Sequence, residues 1–343
     1  MPRKPKENQS ALVAWASCLA PENVSSRALE SALAQVIERL RLPEGLIEKM
    51  TGVVSRRVYP SGWPIAQAAA QACEIIFSQG FERSLIDSLF SASVGRDFLE
   101  PSTASVIQAN LGLGAHCKSL DVSSACLGFI DSLELASLKI AAKKSEYSLV
   151  AAGENSRLLL ENTLSNLSEP QITVKDFFKN FASLTLGSGA AAMLVGPASR
   201  HPKAPRIVGS VSQSDPQSNH LCQGDFSGMQ TEAPALLEAG VKLALLAFRK
   251  GATLFGWGPD YFDLIICHQV SRVNTERLCQ ALGLDWKKIV KIYPNFGNMG
   301  AAAVPFAFDL ASQRSLFGAG HKICLMGIGS GLCCSMMEIE IPS

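Results

Sequence analysis

The sequence predicts an α/β protein in which helices cover buried sheets. Apolar segments of strand length alternate with segments of helical periodicity along the whole chain of 343 residues. Apolar residues make up 47% of the chain, aromatic residues only 7%, and there are 27 glycines. Such small side chains suit helices that pack tightly on a sheet. The chain is long enough for one large domain with an internal division.

The order of the elements follows from where apolar runs, periodic runs and turn residues fall. Strands are predicted at residues 11–18, 85–94, 118–123, 147–153, 264–267 and 323–327, with further strands at the ends of 181–195 and 329–337. Helices are predicted where apolar residues recur at helical spacing, at 25–40, 65–77, 103–111, 129–142, 156–166, 233–248, 274–282 and 301–312. Residues 1–10 are predicted to form a polar tail, and the proline-containing segment 196–206 divides the chain into halves 11–196 and 197–343.

Charge and hydropathy exclude several classes of function. The net charge of +1 gives no electrostatic support to binding of nucleic acid or of a membrane surface. No segment approaches ~18 uninterrupted apolar residues, and no apolar core of a signal peptide follows the basic start. The ten cysteines are scattered and form no C-x-x-C pair, as expected for reduced thiols. We therefore expect a soluble cytoplasmic protein without a membrane span.

Cys126 is the first candidate for catalysis. It ends a run of small residues and precedes the predicted helix 129–142, which is apolar on most sides and therefore predicted to be buried. At a helix start, free N–H groups and the positive end of the helix dipole favour a thiolate over a thiol. The sequence thus suggests a nucleophile, and the alternative for this stretch alone is an inert buried cysteine.

His268 and Asn298 would complete a set suited to thioester chemistry. His268 follows the predicted strand 264–267, and Asn298 lies in a glycine-flanked segment at the entry to a helix. A thiolate can attack an acyl carbonyl, while an imidazole and an amide donate hydrogen bonds to an enolate or oxyanion. The alternatives are a core histidine and a helix N-cap. A papain-like hydrolase uses the same residue types, but its local signature is missing around Cys126 and its order of strands and helices is different.

Three motifs together resemble those of one family. They are Asp121-x-x-x-Ala125-Cys126-x-Gly128-Phe129, His268-Gln269, and Gly297-Asn298-x-x-Ala301-Ala302-x-x-Pro305. Their order and approximate spacing resemble the Cys-His-Asn triad of thiolase-fold ketosynthases of the type III group, over the chain from about Ala11 to its end. The resemblance implies a five-layered αβαβα fold of two duplicated halves, working as a homodimer. It also implies Cys126 as the nucleophile, His268 and Asn298 as the enolate or oxyanion site, and CoA thioester substrates without a cofactor.

Further stretches resemble the branch of this family that joins two long-chain acyl-CoA molecules head to head in bacterial hydrocarbon biosynthesis. They are residues 96–105, 268–272 and 327–336. Enzymes that start fatty-acid synthesis usually have phenylalanine before the proline of the first stretch, where this chain has Glu100. Loss of CO₂ generates the carbanion in a decarboxylative condensation, whereas a non-decarboxylative one needs a base, and a carboxylate in an apolar pocket can serve. The resemblance implies that Glu100 reaches into the site of the partner subunit as this base. The alternative is a solvated loop glutamate.

The resemblance further implies a second oxyanion hole formed by the backbone N–H groups of Ser330 and Cys126, for which a tight turn is the alternative. Residues 93–96 and Cys333 depart from the pattern of the branch, which leaves room for another acyl preference. Basic residues are candidates to meet the phosphates of CoA, namely Arg56, Arg57, Arg249 and Lys250, and the alternative for them is a solvated face.

The expected reaction is a non-decarboxylative Claisen condensation of two long-chain acyl-CoA molecules. Its 2-alkyl-3-oxoacyl product would be released as a β-keto acid, with downstream hydrocarbon-biosynthesis enzymes as further partners. One alternative is a decarboxylative 3-oxoacyl-carrier-protein synthase III or a secondary-metabolite acyltransferase. Another, from a different class, is a non-catalytic thiolase-fold partner subunit.

Overall fold

The predicted alternation of strands and helices is confirmed by a computed structural model, which describes residues 10–225 and 227–343. Its strands are β1 (Ser10–Leu19), β2 (Glu22–Ser25), β3 (Ser55–Val58), β4 (Ile86–Ser91), β5 (Lys118–Asp121), β6 (Tyr147–Glu154), β7 (Gly189–Pro197), β8 (Arg206–Ser214), β9 (Cys222–Gly224), β10 (Met229–Thr231), β11 (Leu264–Cys267), β12 (Lys322–Gly329) and β13 (Cys333–Glu340). Its helices are α1 (Ser26–Ala32), α2 (Ala34–Arg39), α3 (Leu46–Thr51), α4 (Ile65–Ser78), α5 (Thr103–Asn110), α6 (Gly128–Ala141), α7 (Arg157–Ser168), α8 (Val174–Asn180), α9 (Ala233–Phe255), α10 (Arg272–Leu282), α11 (Tyr293–Phe296) and α12 (Ala303–Gln313).

Several local predictions were wrong or incomplete. Residues 1–9 of the predicted tail lie outside the described residues, and Ser10 is not tail, because it begins β1 and pairs with Pro197. The predicted helix at 25–40 is broken at Leu33 into α1 and α2. The strands β3 and β8 were missed because they are rich in arginine, serine and glutamine, although their side chains are partly buried.

The sheet contains the same arrangement of strands twice. In the first half the order is β5-β4-β6-β7-β1, where β4 runs parallel to β5 and β6, and the remaining pairs are antiparallel. In the second half the order is β11-β12-β13-β8, with β11 parallel to β12 and to a single bridge at Ile289, and the remaining pairs antiparallel. Each half therefore repeats one topology in chain order, and Ile289 takes the place of β5. Strands β1 and β8 pair at Ala11 and Arg206, which joins the halves.

Helices lie outside both halves of the sheet and also between them. The outer helices α4 and α5 pack on the first half through small residues such as Ala68 and Ala72, and α9 and α10 cover the second half. The helices α6 and α12 lie in the middle and bury Phe129, Leu133, Val304 and Phe308 against strands of both halves. The resulting order of layers is αβαβα, as the resemblance implied. Within the described residues, no helix has both the length and the hydropathy needed to cross a membrane.

Candidate active site

Cys126 lies on a sharp turn between β5 and α6. Ala125 has a φ of 47°, a left-handed conformation that is uncommon for a residue with a side chain. Residues Ala125–Leu127 form one turn of 3-10 helix that leads into α6. Gly128 lets this turn approach the sheet, because a Cβ there would lie 2.8 Å from the carbonyl oxygen of Ala92. The turn thus holds the half-buried Cys126 at the start of a central helix.

The surroundings of Cys126 keep its thiol protonated. Burial, aided by the charges of Glu154 and Cys222 and opposed by a backbone hydrogen bond, raises the pKa of Cys126 to about 12. The prediction that the helix start favours a thiolate is therefore wrong, because desolvation outweighs the stabilisation of the anion by the turn. Attack by Cys126 requires that the proton leaves as the sulfur–carbon bond forms.

His268 and Asn298 meet side chain to side chain. The Nε2 atom of His268 is 2.9 Å from Oδ1 of Asn298, and the N–H of Gly300 donates to the same oxygen at 3.0 Å. Since Oδ1 accepts, Nε2 is the nitrogen of His268 that carries the proton. Burial lowers the pKa of His268, an effect that the hydrogen bond with Asn298 opposes, so the imidazole is neutral at pH 7. Nε2–H of His268 is thereby engaged by Oδ1 of Asn298, which leaves Nδ2–H₂ of Asn298 as the donor for a substrate oxygen, and neither side chain adds a positive charge.

The backbone at Asn298 is fixed by a segment from the other half of the chain. The N–H of Asn298 donates to the Thr185 carbonyl at 2.8 Å, and the N–H of Gly187 donates to the Asn298 carbonyl at 2.8 Å. Gly297 has a φ of 66°, and a Cβ there would clash with the Thr185 carbonyl, so glycine is required at this position. Hydrogen bonds from its own N–H and to its own carbonyl therefore fix the backbone of Asn298, which carries the side-chain amide.

Gln269 ties the histidine to the chain that leads to Asn298. Its Nε2 donates to the Val290 carbonyl at 2.7 Å, and its Oε1 accepts from the N–H groups of Ile292 at 2.9 Å and Tyr293 at 3.3 Å. The side chain is fully buried. The His268-Gln269 motif contains this residue but predicts no role for it, because its partners are backbone groups distant along the chain.

The strand β12 brings the cysteine turn and the histidine together. The N–H of His268 donates to the Met326 carbonyl at 2.8 Å. At the next residue, Gly327, a Cβ would lie 2.6 Å from Cδ2 of Leu127 and 3.7 Å from Cβ of His268. The neighbour of Cys126 and the His268 side chain thus flank one position of β12. The structure therefore brings the three predicted residues Cys126, His268 and Asn298 to one place.

Ser330 lies in the turn between β12 and β13. The turn starts beside the cysteine, because a Cβ on Gly329 would lie 2.9 Å from the carbonyl oxygen of Ser124. Ser330 itself is exposed. Its backbone N–H as half of an oxyanion hole stays a prediction.

Glu100 lies on a surface loop of the chain. It is exposed on the loop between β4 and α5, next to Phe98 and Leu99, whose side chains are 54% and 80% exposed. Within the described part of the chain, it makes no hydrogen bond or ion pair with Cys126, His268 or Asn298. The loop is anchored at Asp97, whose carboxylate accepts from the N–H groups that start α4, at Ile65 and Ala66, at 2.7 and 2.8 Å.

Glu154 is a site residue that the sequence did not reveal. It ends β6, is 8% exposed, and its Oε1 accepts from the N–H groups of Val94 at 2.9 Å and Ala301 at 3.1 Å. Burial raises the pKa of Glu154 to about 7, against the effect of these backbone hydrogen bonds. A buried carboxylate that bonds only to backbone N–H groups leaves no motif, so only its position at a strand end could have pointed to it.

The titration of Glu154 predicts a pH dependence of stability. The carboxyl has an ordinary pKa of 4.5 and a folded pKa of about 7, so unfolding becomes favoured as the pH rises through this interval. Relative to Glu154→Gln, the wild type should lose about 3 kcal/mol of unfolding free energy between about pH 4.5 and 7. Urea unfolding of both proteins at pH 5 and 7.5 measures this loss. The exposed Glu38→Gln is the control, and a difference between wild type and Glu154→Gln that does not change with pH contradicts the prediction.

Arg56 has neither of its predicted roles. It is fully buried, its guanidinium donates to the Leu184 carbonyl at 2.8 Å and the Ser26 hydroxyl at 3.2 Å, and burial lowers its pKa to about 10. Arg57 donates to the carbonyl oxygens of Ala20 and Pro21, each at 2.8 Å. Both arginines therefore bind the chain itself, and the guanidinium of Arg56 is out of reach of a CoA phosphate. Across residues 10–225 and 227–343, no three His, Cys, Asp or Glu side chains are grouped to hold a metal ion.

Several known proteins are similar to this chain in sequence and in fold. Residues 252–341 match the family model described as 3-Oxoacyl-[acyl-carrier-protein (ACP)] synthase III C terminal. The chain is 36% identical over 323 residues to an acyl-CoA:acyl-CoA alkyltransferase of Xanthomonas campestris pv. campestris, covering 93% of this chain and 95% of that protein. A protein of the same name from Shewanella oneidensis is 31% identical over 336 residues, covering 94% and 96%. The crystal structure of cerulenin-bound Xanthomonas campestris OleA matches with a TM-score of 0.96 at 34% identity, covering 99% of this chain and 100% of that one.

These likenesses extend over nearly the whole chain and include both duplicated halves. They confirm the thiolase fold that the motifs around Cys126, His268 and Asn298 implied. The chain therefore belongs to the OleA family of acyl-CoA:acyl-CoA alkyltransferases, which are acyltransferases of the thiolase superfamily.

Proposed function

We propose that this protein condenses two long-chain acyl-CoA molecules head to head, without decarboxylation. The observation that carries the proposal is the meeting of a cysteine turn with a neutral, hydrogen-bonded pair of side chains, His268 and Asn298, in a chain of the OleA family. A nucleophile next to such donors fits acyl transfer followed by attack of an enolate. Xanthomonas campestris OleA has been crystallised with lauric acid and lauroyl-CoA in a cysteine-to-serine variant, which supports acyl-CoA as the substrate class.

In the first step, the sulfur of Cys126 attacks the carbonyl carbon of one acyl-CoA. The thiol proton passes to the departing CoA sulfur, so that acyl-Cys126 and CoA–SH are formed. Because burial raises the pKa of Cys126, the thiol is protonated before the attack, and its proton leaves as the sulfur–carbon bond forms. The N–H groups of Cys126 and Ser330 stabilise the oxyanion of this step.

In the second step, a base removes a proton from the α-carbon of a second acyl-CoA. Its enolate oxygen accepts from Nδ2–H₂ of Asn298, and from Nε2–H of His268 once that hydrogen turns from Oδ1 of Asn298 to the substrate. The neutral imidazole donates without losing its own proton. The α-carbon then attacks the acyl-Cys126 carbonyl, and Cys126 leaves as the thiolate and is reprotonated by the base. The 2-alkyl-3-oxoacyl thioester is finally hydrolysed to the β-keto acid.

We assign the base to Glu100 of the partner subunit in a homodimer. In its own subunit Glu100 is exposed beside the exposed Phe98 and Leu99, a combination that is typical of a surface covered by another chain. Solved Xanthomonas campestris OleA structures include variants of one glutamate, one cysteine and one histidine. The separations between these three positions equal those between Glu100, Cys126 and His268. The match supports these roles for the three residues of this chain.

The wider setting is part of the same proposal. The division into halves at 196/197, a cytoplasmic location and downstream enzymes of hydrocarbon biosynthesis follow from the family and from the composition of the chain. The repeated strand order on either side of the segment between Pro197 and Arg206 supports the division.

The test uses lauroyl-CoA as the sole substrate of the purified protein. We expect acylation of Cys126, release of CoA and a product that carries two acyl chains. The match of residues 252–341 to a carrier-protein synthase makes a decarboxylative reaction the second candidate. Product formation that strictly requires a malonyl-carrier protein would support that candidate. If neither acylation nor CoA release occurs with any acyl donor, the chain is a non-catalytic subunit.

A further inference from the structure

Glu154 is a buried carboxylate that the proposed mechanism does not use. It ends β6, in the centre of the first half of the sheet, and within the described residues it has no cationic partner. An unpaired carboxylate in such a place is costly unless hydrogen bonds compensate for the lost water. The contacts of Glu154 therefore indicate what the residue is for.

One set of contacts reaches the loop that carries Glu100. Oε1 of Glu154 accepts from the N–H of Val94 at 2.9 Å. Val94 and Gly95 are the residues by which the chain leaves β4 toward Asp97 and Glu100. The start of this loop is thus held by Glu154, and its next fixed point is Asp97 at the start of α4.

A second set of contacts reaches the turn after Asn298. The same Oε1 accepts from the N–H of Ala301 at 3.1 Å, and a Cβ on Gly300 would lie 3.0 Å from the carboxyl carbon of Glu154. Gly300 is the residue whose N–H donates to Oδ1 of Asn298 and so orients its amide. One oxygen atom of Glu154 therefore bridges the loop of the base and the turn of the enolate donors.

We propose that Glu154 is a positioning residue that fixes the Glu100 loop and the Asn298 turn relative to each other. The proposal rests in part on the proposed function, because the importance of the Glu100 loop comes from the role of Glu100 as base. Condensation needs the α-carbon proton near Glu100 and the enolate oxygen near Asn298 at the same moment. Acylation of Cys126 needs neither, so the two steps should respond differently to loss of Glu154.

The test compares Glu154→Ala with Glu154→Gln, using lauroyl-CoA and the full-length protein. Alanine removes the bridging oxygen, and condensation should slow by about 100-fold or more, since small misplacements of reacting groups have effects of this size. Formation of acyl-Cys126, followed by intact mass, should stay within about threefold of the wild type. Glutamine retains an Oε1 that can accept from both Val94 and Ala301, and should restore condensation to within about tenfold.

The control is Glu338→Gln, which removes another buried carboxylate whose partners are Trp257 and Tyr261, away from the site. It should leave both steps unchanged. Three outcomes would overturn the proposal: wild-type condensation by Glu154→Ala, equal loss of acylation and condensation, or a glutamine variant as slow as the alanine variant. Glu100→Gln is measured in parallel. If that variant condenses normally, the assignment of the base fails, whereas the role of Glu154 is still decided by the alanine and glutamine pair through its link to Asn298.

Discussion

Replacing Cys126 by alanine is expected to abolish the acyl-enzyme and to slow condensation by about 10⁴-fold or more, because no other group at the site can hold the first acyl chain. The turn at Ala125–Leu127 and the glycine contact at Gly128 exist independently of the sulfur, so the variant should fold normally. Intact mass after incubation with lauroyl-CoA measures acylation, and analysis of the product measures condensation.

The matched control for this loss is Cys18→Ala. Cys18 is also half-buried, but it lies in β1, where its sulfur contacts the Ala68 carbonyl at 3.8 Å. The control variant should be acylated and should condense like the wild type. Acylation of the Cys126→Ala protein at another cysteine, with retained product formation, would show that Cys126 is one of the inert cysteines.

The fold could be predicted from the sequence because its signals are local. The apolar strands that deliver the site, such as β11 before His268 and β6 before Glu154, are short apolar runs with clear ends. The central helix after Cys126 was likewise evident from its apolar surface. The strands β3 and β8 were not, because arginines and serines interrupt their apolar residues, and their burial depends on partners elsewhere in the chain.

Only those site residues could be predicted whose side chains belong to a recognisable sequence motif. Cys126, His268 and Asn298 stand next to glycines or strand ends, and the family resemblance joined them. Gln269 and Glu154 act on backbone N–H and carbonyl groups far away in sequence, which no local pattern encodes. The direction of the Cys126 pKa was predicted wrongly for a similar reason, since the helix start is visible in the sequence and the depth of burial is not.

The duplicated topology explains why the nucleophile and the enolate donors meet. Cys126 precedes the central helix α6 after β5, and Asn298 precedes the central helix α12 after the bridge at Ile289, which takes the place of β5 in the second half. The two residues therefore occupy corresponding positions in the two halves. Because α6 and α12 share one middle layer, their starts lie side by side, which gives the nucleophile and one of the donors a common location.

Replacing Glu100 by glutamine is expected to leave acylation of Cys126 intact and to slow condensation by about 10²–10⁴-fold, the usual size of a general-base contribution. Glutamine keeps the shape of the side chain but cannot accept the α-carbon proton. The anchors at Asp97 and Glu154 hold the loop independently of Glu100, so the loop conformation should persist. The measurement is the ratio of condensation to acyl-enzyme formation with lauroyl-CoA. The exposed Glu82→Gln, outside the loop, is the control.

Mixed dimers decide from which subunit Glu100 acts. A heterodimer of one Cys126→Ala subunit and one Glu100→Gln subunit, isolated through two different affinity tags, contains an intact cysteine in one subunit and an intact glutamate in the other. If Glu100 works across the interface, one of the two sites is complete, and the heterodimer should have about half of the wild-type activity. If Glu100 works in its own subunit, no site is complete and activity should stay at the level of the two inactive homodimers. That second outcome would overturn the assignment to the partner subunit. The loop that exposes Glu100 beside Phe98 and Leu99 would then have to move so that Glu100 reaches the site of its own chain.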